Sequence, residues 1–187
     1  MVELFDTFPY LENDKVIIRK MKISDAKALA EISNNDNVYK YTPPFLHNKS
    51  NKVLEAAIKN LSGRDFDKKK LIIAGIYLTN DPEKLVGLAE MFDYKKKESK
   101  ITIGYRLNED YWNQKIITNA LKLIVEYLVN DIGIKTLQAF VMPENLYSSK
   151  VLLNNGFIKE IYTSQEKNWG GQEIVTLDVY TYKKRED

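Results

Sequence analysis

Residues 103–128 read IGYRLNEDYWNQKIITNALKLIVEYL, and this stretch decides the fold. Ile103 to Leu107 ends a strand pattern that begins at Lys100. From about Asn113 to Asn130 the apolar residues change to helical spacing. Ile116, Ile117, Ala120, Leu121, Ile124, Tyr127 and Leu128 make a wide apolar stripe, as expected of a helix packed on a sheet. A further strand pattern at Thr136–Val141 follows. Strand, helix and strand in that order make a crossover unit, the connection that joins parallel strands.

Working outward, Lys15–Met21 reads as a first strand, with Val16 and Ile18 alternating against Ile17 and Arg19. Ser24 and Asp25 open a helix to about Ile32, and a second helix lies near Lys52–Leu61. Between them, Asn34–Ser50 is a polar and aromatic loop containing Pro43-Pro44. Leu71–Leu78, Leu85–Phe92 and Lys100–Leu107 read as an antiparallel meander turning at Thr79–Pro82 and at the lysine-rich tip Lys95–Glu98. After the crossover come a helix at Glu144–Asn154, closed by Gly156, and strands at Phe157–Thr163 and Glu173–Tyr182. The spacing predicts an α/β fold: a mixed, mostly antiparallel, seven-stranded sheet with helices on both faces, in one domain with its core at about 15–182.

Composition narrows the chemistry. Lys and Arg total 28 against 26 Asp and Glu, a balance too even for an electrostatic footprint on nucleic acid or anionic membrane. No apolar run reaches the roughly 18 residues of a membrane helix, and Met1–Asp14 is acidic and aromatic, so a cytoplasmic protein is expected. There is no cysteine and one histidine, His47. Thiolate zinc sites, cysteine nucleophiles and mechanisms needing a histidine pair are therefore excluded, and no metal site is expected. The chemistry falls to carboxylates, hydroxyls, amides, backbone groups or a bound cosubstrate.

Two segments in this order carry a resemblance: Ile103–Leu128 and VMPENLYSSKVLLNNGF at Val141–Phe157. Together they resemble the GNAT acyltransferases, most of all the branch containing the ribosomal-protein N-terminal acetyltransferases. Pro143, Asn145, Ser148, Val151, Leu152, Gly156 and Phe157 all fall in register with that branch. The resemblance implies a sheet split between two central strands and opened by a bulge in the strand before the long helix. Acetyl-CoA would lie in the split as cosubstrate, its pantetheine arm against the backbone of Tyr105, Arg106 and Leu107. One of these N–H groups would polarise the thioester carbonyl. Its pyrophosphate would sit on the helix start at Asn113, Gln114, Lys115, Ile116, Ile117 and Thr118. An amine is the implied acceptor, either a protein N-terminus or a small amine, and both monomer and homodimer are compatible.

The cradle departs from the family pattern. Asn113 and Lys115 stand where glycines are expected, and β-branched Ile117 where a small residue is expected. A fold that has kept its shape and lost catalysis is the alternative this raises. Asn145 is a candidate for the pantetheine arm and equally a helix N-cap. Ser148, one turn on, is a candidate acid for the departing thiolate, with Tyr147 as backup. Glu166 is the first candidate for the general base and Glu90 the second; an exposed solvating carboxylate is the ordinary reading of each. Glu109 and Asp110 are expected to cap the long helix. Tyr39, Tyr41 and Phe45 could line an acceptor pocket that Trp169 covers. Arg106, leaving the core face, could meet a substrate carboxylate or phosphate, but a sheet-surface arginine is the expectation, and His47 is expected on the protein surface.

Overall fold

The structure, a computed structural model, describes residues 2–184. A two-residue strand β1 (Leu11–Glu12) precedes β2 (Val16–Arg19), α1 (Ala26–Ser33), the single turn α2 (Asp36–Tyr39), α3 (Asn51–Ser62) and a short α4 (Arg64–Asp67). The meander β3 (Leu71–Leu78), β4 (Asp81–Lys95) and β5 (Lys100–Leu107) follows. Then α5 (Ile116–Glu126) runs into a π-helical turn through Asp131 and leads to β6 (Thr136–Val141). The chain closes with α6 (Leu146–Asn154) and the hairpin of β7 (Ile158–Trp169) and β8 (Gln172–Lys183).

These strands form one sheet in the order β1-β2-β3-β4-β5-β6-β8-β7, with β5–β6 as its parallel pair. The sheet has eight strands where periodicity predicts seven. The extra one, β1, pairs through Leu11↔Ile18 and Glu12↔Ile17 and is too short to show a period of its own. β7 extends six residues past Thr163; the side chains of that extension are all exposed or half-buried, so no apolar alternation marks it. The long helix is shorter than its apolar stripe, since its last turn is π-helical.

Alternation along β2 and β3 sorts the core into two layers. Val16, Ile18, Ile72 and Ile76 pack with Ile117, Leu121 and Ile124 of α5 on one face. Ile17, Ile73 and Tyr77 pack with Leu29 and Ile32 of α1 and Leu54 and Ile58 of α3 on the other. No helix among the described residues is long and apolar enough to cross a membrane.

One feature of the pairing positions everything that follows. β5 and β6 are hydrogen-bonded neighbours only over Lys100↔Thr136, Ile101↔Leu137 and Thr102↔Gln138. Beyond that, β5 stays on β4 as far as Leu107, while β6 stays on β8 as far as Val141. The two central strands therefore splay, and a slot opens between them. Pairing of β5 to β4 runs without a register shift from Thr102 to Leu107, so the bulge implied for β5 is absent; the irregularity lies between Phe92 and Lys95.

Candidate active site

The backbone of β5 supplies one wall of the slot. The Ser99 carbonyl accepts from Lys135 and Thr136 at the start of β6, whereas Asn108 N–H donates to Val86 of β4 at 2.8 Å. Strand backbone groups alternate sides, so Tyr105 and Leu107 present theirs to the slot and Arg106 presents its own to β4. Of the three residues named from sequence, two thus have backbone facing the slot. The Leu107 carbonyl already accepts from Trp112 Nε1 at 3.0 Å.

Two cavities meet at this wall. One, of about 430 Å³, is lined by Tyr105, Arg106, Leu107, Asn113, Ile117, Tyr147 and Ser148 together with Asn37, Val38, Lys40, Tyr41 and Thr42. The other, of about 540 Å³, is lined by Glu90, Phe92, Gly104, Phe140, Glu166 and Trp169 among others. Tyr41, Thr42, Tyr105, Arg106, Asn145 and Ser148 line both.

At the helix start, Asn113 has φ 60° and Lys115 has φ 60°, both left-handed. The backbone conformation that favours glycine is therefore kept without glycine, at a cost of about 1–2 kcal/mol for an ordinary side chain and less for Asn. Gln114 and Lys115 are exposed and Thr118 half-buried. Gln114 Nε2 donates to the Asp110 carbonyl at 3.2 Å. Ile117 does not crowd the helix start with an exposed branched side chain. It is 1% exposed, packed in the core layer of its neighbour Ile116. The first-turn N–H groups of an α-helix lack intrahelical partners, so an anion can be received here. The residues present fit the pyrophosphate of acetyl-CoA.

Asn145 is the N-cap of α6: its Oδ1 accepts from Ser148 N–H at 3.2 Å. Its Nδ2 donates to Ser148 Oγ at 3.2 Å, which leaves the Ser148 hydroxyl proton for another acceptor. Tyr105 OH donates to the Ser148 carbonyl at 3.3 Å, and burial pushes the Tyr105 phenol well up. Tyr147 is partly exposed, and burial raises its phenol too.

Arg106 corrects the expectation of a sheet-surface arginine. Leu88↔Arg106 and Glu90↔Gly104 are adjacent rungs, which makes Glu90 and Arg106 diagonal neighbours on one face. The guanidinium donates to the Glu90 carboxylate through Nη1 and to the Pro43 carbonyl through Nη2, the latter at 3.1 Å. Arg106 is 4% and Glu90 8% exposed. Burial lowers the arginine from its ordinary range, but a guanidinium stays charged. Gly104 makes room for this pair, since a Cβ there would lie 3.1 Å from Glu90 Oε2. Glu90 is thus no exposed solvating carboxylate; it is half of a buried ion pair.

The 34–50 loop closes over the pair. The Arg106 guanidinium carbon lies 5.1 Å from the Tyr39 ring centroid and 5.9 Å from that of Phe45. Tyr39 is buried, donates to the Phe45 carbonyl at 2.6 Å and stacks on His47. It lines neither of the two cavities, facing instead a hollow beside the β7–β8 turn. His47 is half-buried, its Nε2 3.0 Å from Asp36 Oδ1, and is not a free surface residue. Glu109 does not cap α5. It accepts from Asn35 and Asn37 at 2.8 and 2.9 Å, which holds its carboxyl below the usual range and ties the loop to the end of β5.

Tyr41 and Trp169 both line the second cavity, where they pack with Phe140 against Met142, Val175 and Leu177. Glu166 lines the same cavity, half-buried, and accepts from Ser164 Oγ at 3.3 Å. Sequence reasoning missed the Glu90–Arg106–Pro43 connection and the contributions of Phe92 and Phe140. For Arg106 the signal was present, since alternation already set it opposite Tyr105 and Leu107.

A splayed pair of central strands beside an anion-receiving helix start defines a transferase that takes its acyl group from a CoA thioester. Residues 15–158 match the Acetyltransferase (GNAT) domain, and the chain belongs to this family of acetyl-CoA-dependent N-acetyltransferases. It is 28% identical over 155 residues to the uncharacterized N-acetyltransferase YoaA of Bacillus subtilis, covering 82% of this chain and 85% of that one. A GNAT-family acetyltransferase from Bacillus anthracis superposes with TM-score 0.79 at 20% identity, covering 94% of this chain and 98% of the other. Mycobacterium smegmatis RimJ, solved with a CoA disulfide, gives TM-score 0.78 at 19% identity, covering 96% and 88%.

Two stability measurements follow from this geometry. Lys115→Gly is expected to hold or raise stability by up to about 1 kcal/mol, and Lys115→Val to lower it by about 1–2 kcal/mol, read from thermal unfolding. Arg106→Met strands the buried Glu90 and should cost about 3–5 kcal/mol in denaturant unfolding, with most of it recovered when Glu90→Gln is added.

Proposed function

We propose that the chain transfers acetyl from acetyl-CoA to a primary amine by direct attack, with the amine held in the larger cavity and the thioester in the smaller. The observation that carries this reading is the set of residues common to both cavities, because donor and acceptor must meet where the two join. Holding them together there supplies much of the rate. The buried Arg106 Nε and Thr42 Oγ1, unpartnered among the described residues, support a polar bound group at this junction.

Acetyl-CoA supplies an acetyl carbon already activated as a thioester. The slot-facing backbone of Tyr105 and Leu107 aligns the pantetheine arm, and Asn145 can join it by exchanging one of its contacts with Ser148. Glu166 takes the proton from the ammonium, freeing the nitrogen lone pair to bond to the acetyl carbon as the carbon–sulfur bond breaks. The Ser148 hydroxyl, whose proton is uncommitted, delivers it to the departing sulfur and is restored by the second proton that the nitrogen sheds as the amide forms. Glu90 is the weaker candidate for the base, since taking a proton would dissolve its ion pair with Arg106.

Gly170 supports placing the amine behind the β7–β8 turn. Its N–H donates to the Thr42 carbonyl at 3.1 Å, its φ is +54°, and a Cβ would collide with the Lys40 carbonyl. The turn and the loop can close on each other only through glycine.

Glu166→Gln is expected to lower kcat by about 10²-fold or more with acetyl-CoA affinity unchanged. The residual rate should climb with pH as more of the amine is unprotonated. Unchanged turnover across pH would remove Glu166 from this role. Gly170→Ala should raise KM for the amine several-fold and leave acetyl-CoA binding, followed by calorimetry, where it was.

A further inference from the structure

The charges lining the larger cavity cancel except for one. Glu90 is neutralised by Arg106, and Asp93 Oδ2 lies 3.7 Å from Lys95 Nζ. Glu166 has only the neutral Ser164 hydroxyl as partner and no cation among the described residues. The cavity thus presents a single uncompensated carboxylate. Five aromatic residues also line the cavity, Tyr41, Phe92, Tyr105, Phe140 and Trp169. Three of them, Tyr41, Phe140 and Trp169, are held by packing on Met142, Val175 and Leu177 and so form a fixed wall.

We infer that the acceptor is a small arylalkyl primary amine carrying one positive charge and no carboxylate. This rests on the larger cavity being the amine site. One ammonium matches one free carboxylate and is further favoured by the electron-rich ring faces. A second cationic group would meet only carboxylates that already have partners, and would lose its hydration without a counter-charge. A carboxylate on the acceptor would face a cavity that is already net negative, whose one buried cation is neutralised by Glu90 and keeps only its Nε without a partner among the described residues. The aromatic wall rewards an apolar ring on the acceptor through its buried area. A volume of about 540 Å³ suits a small molecule.

The experiment measures thiol release from acetyl-CoA, with no background from a chain that lacks cysteine. The acceptors compared are 2-phenylethylamine, 1,4-diaminobutane, phenylalanine and a short peptide beginning with alanine. The expected kcat/KM for 2-phenylethylamine is at least about tenfold above each of the others. Equal or faster turnover of the diamine, the amino acid or the peptide overturns the inference. Phe140→Ala should raise KM for 2-phenylethylamine severalfold more than KM for butylamine; an equal rise for both overturns the role of the aromatic wall. A binding arm separates this failure from failure of the underlying reading. Acetyl-CoA binding with saturable quenching of tryptophan fluorescence by 2-phenylethylamine supports the inference. Acetyl-CoA binding without such quenching overturns the inference alone, and absence of acetyl-CoA binding overturns both.

Discussion

The parting of β5 and β6 after three paired residues is the constraint on which the rest of the structure depends. A sheet that stayed paired there would satisfy its backbone groups internally and leave nowhere for a second extended chain to lie. Each strand instead keeps its outer neighbour, β4 for β5 and β8 for β6, so the sheet holds together around the opening. The edge that results is internal and protected. It leaves the backbone of Tyr105 and Leu107 facing the slot without offering a free edge to another protein. The position of α5 follows, because the chain leaving β5 reaches the helix start within a few residues and sets it at the mouth of the same opening.

Around that opening the ion pair of Arg106 and Glu90 acts as a joint. Two buried charges are costly to desolvate and stabilise little on their own. Here the guanidinium also holds the Pro43 carbonyl, and Glu109 holds Asn35 and Asn37, so the long loop after α1 is fixed at its start and at its middle. Gly170 ties the same loop to the β7–β8 turn. Three segments distant in sequence are drawn to one place, and the aromatic rings they carry become the walls of one cavity. Pairing Glu90 with Arg106 also removes a carboxylate from the cavity's charge and leaves Glu166 as the one without a cationic partner among the described residues.

Most of the fold was legible because its signals are local. The bounds of β3, β5 and β6 follow from alternation, and the longer helices are located, though not bounded, by their apolar stripes, because one-sided burial imposes its period on the sequence. The misses share a cause. β1 is too short to carry a period, and the outer half of β7 buries no side chain that would impose one. In the candidate site, Asn145 and Ser148 sit together because they are three residues apart on one helix. Arg106 and Glu90 are sixteen residues apart; alternation sets Arg106 on the face opposite Tyr105 and Leu107, but nothing local shows that a distant loop covers that face.

The sequence by itself determined the family, the order of strands and helices, and a chemistry without thiols or paired histidines. Each of these follows from residue identity and short-range spacing. Tertiary structure alone decided that Asn113 and Lys115 keep the left-handed backbone that glycine would adopt, and that Ile117 turns into the core. It also decided which carboxylate is neutralised and which is left free. The physical reason is the same in each case. Backbone strain is tolerated, and a charge can be buried, only when distant parts of the chain arrive to hold them, and such arrivals have no local period to read.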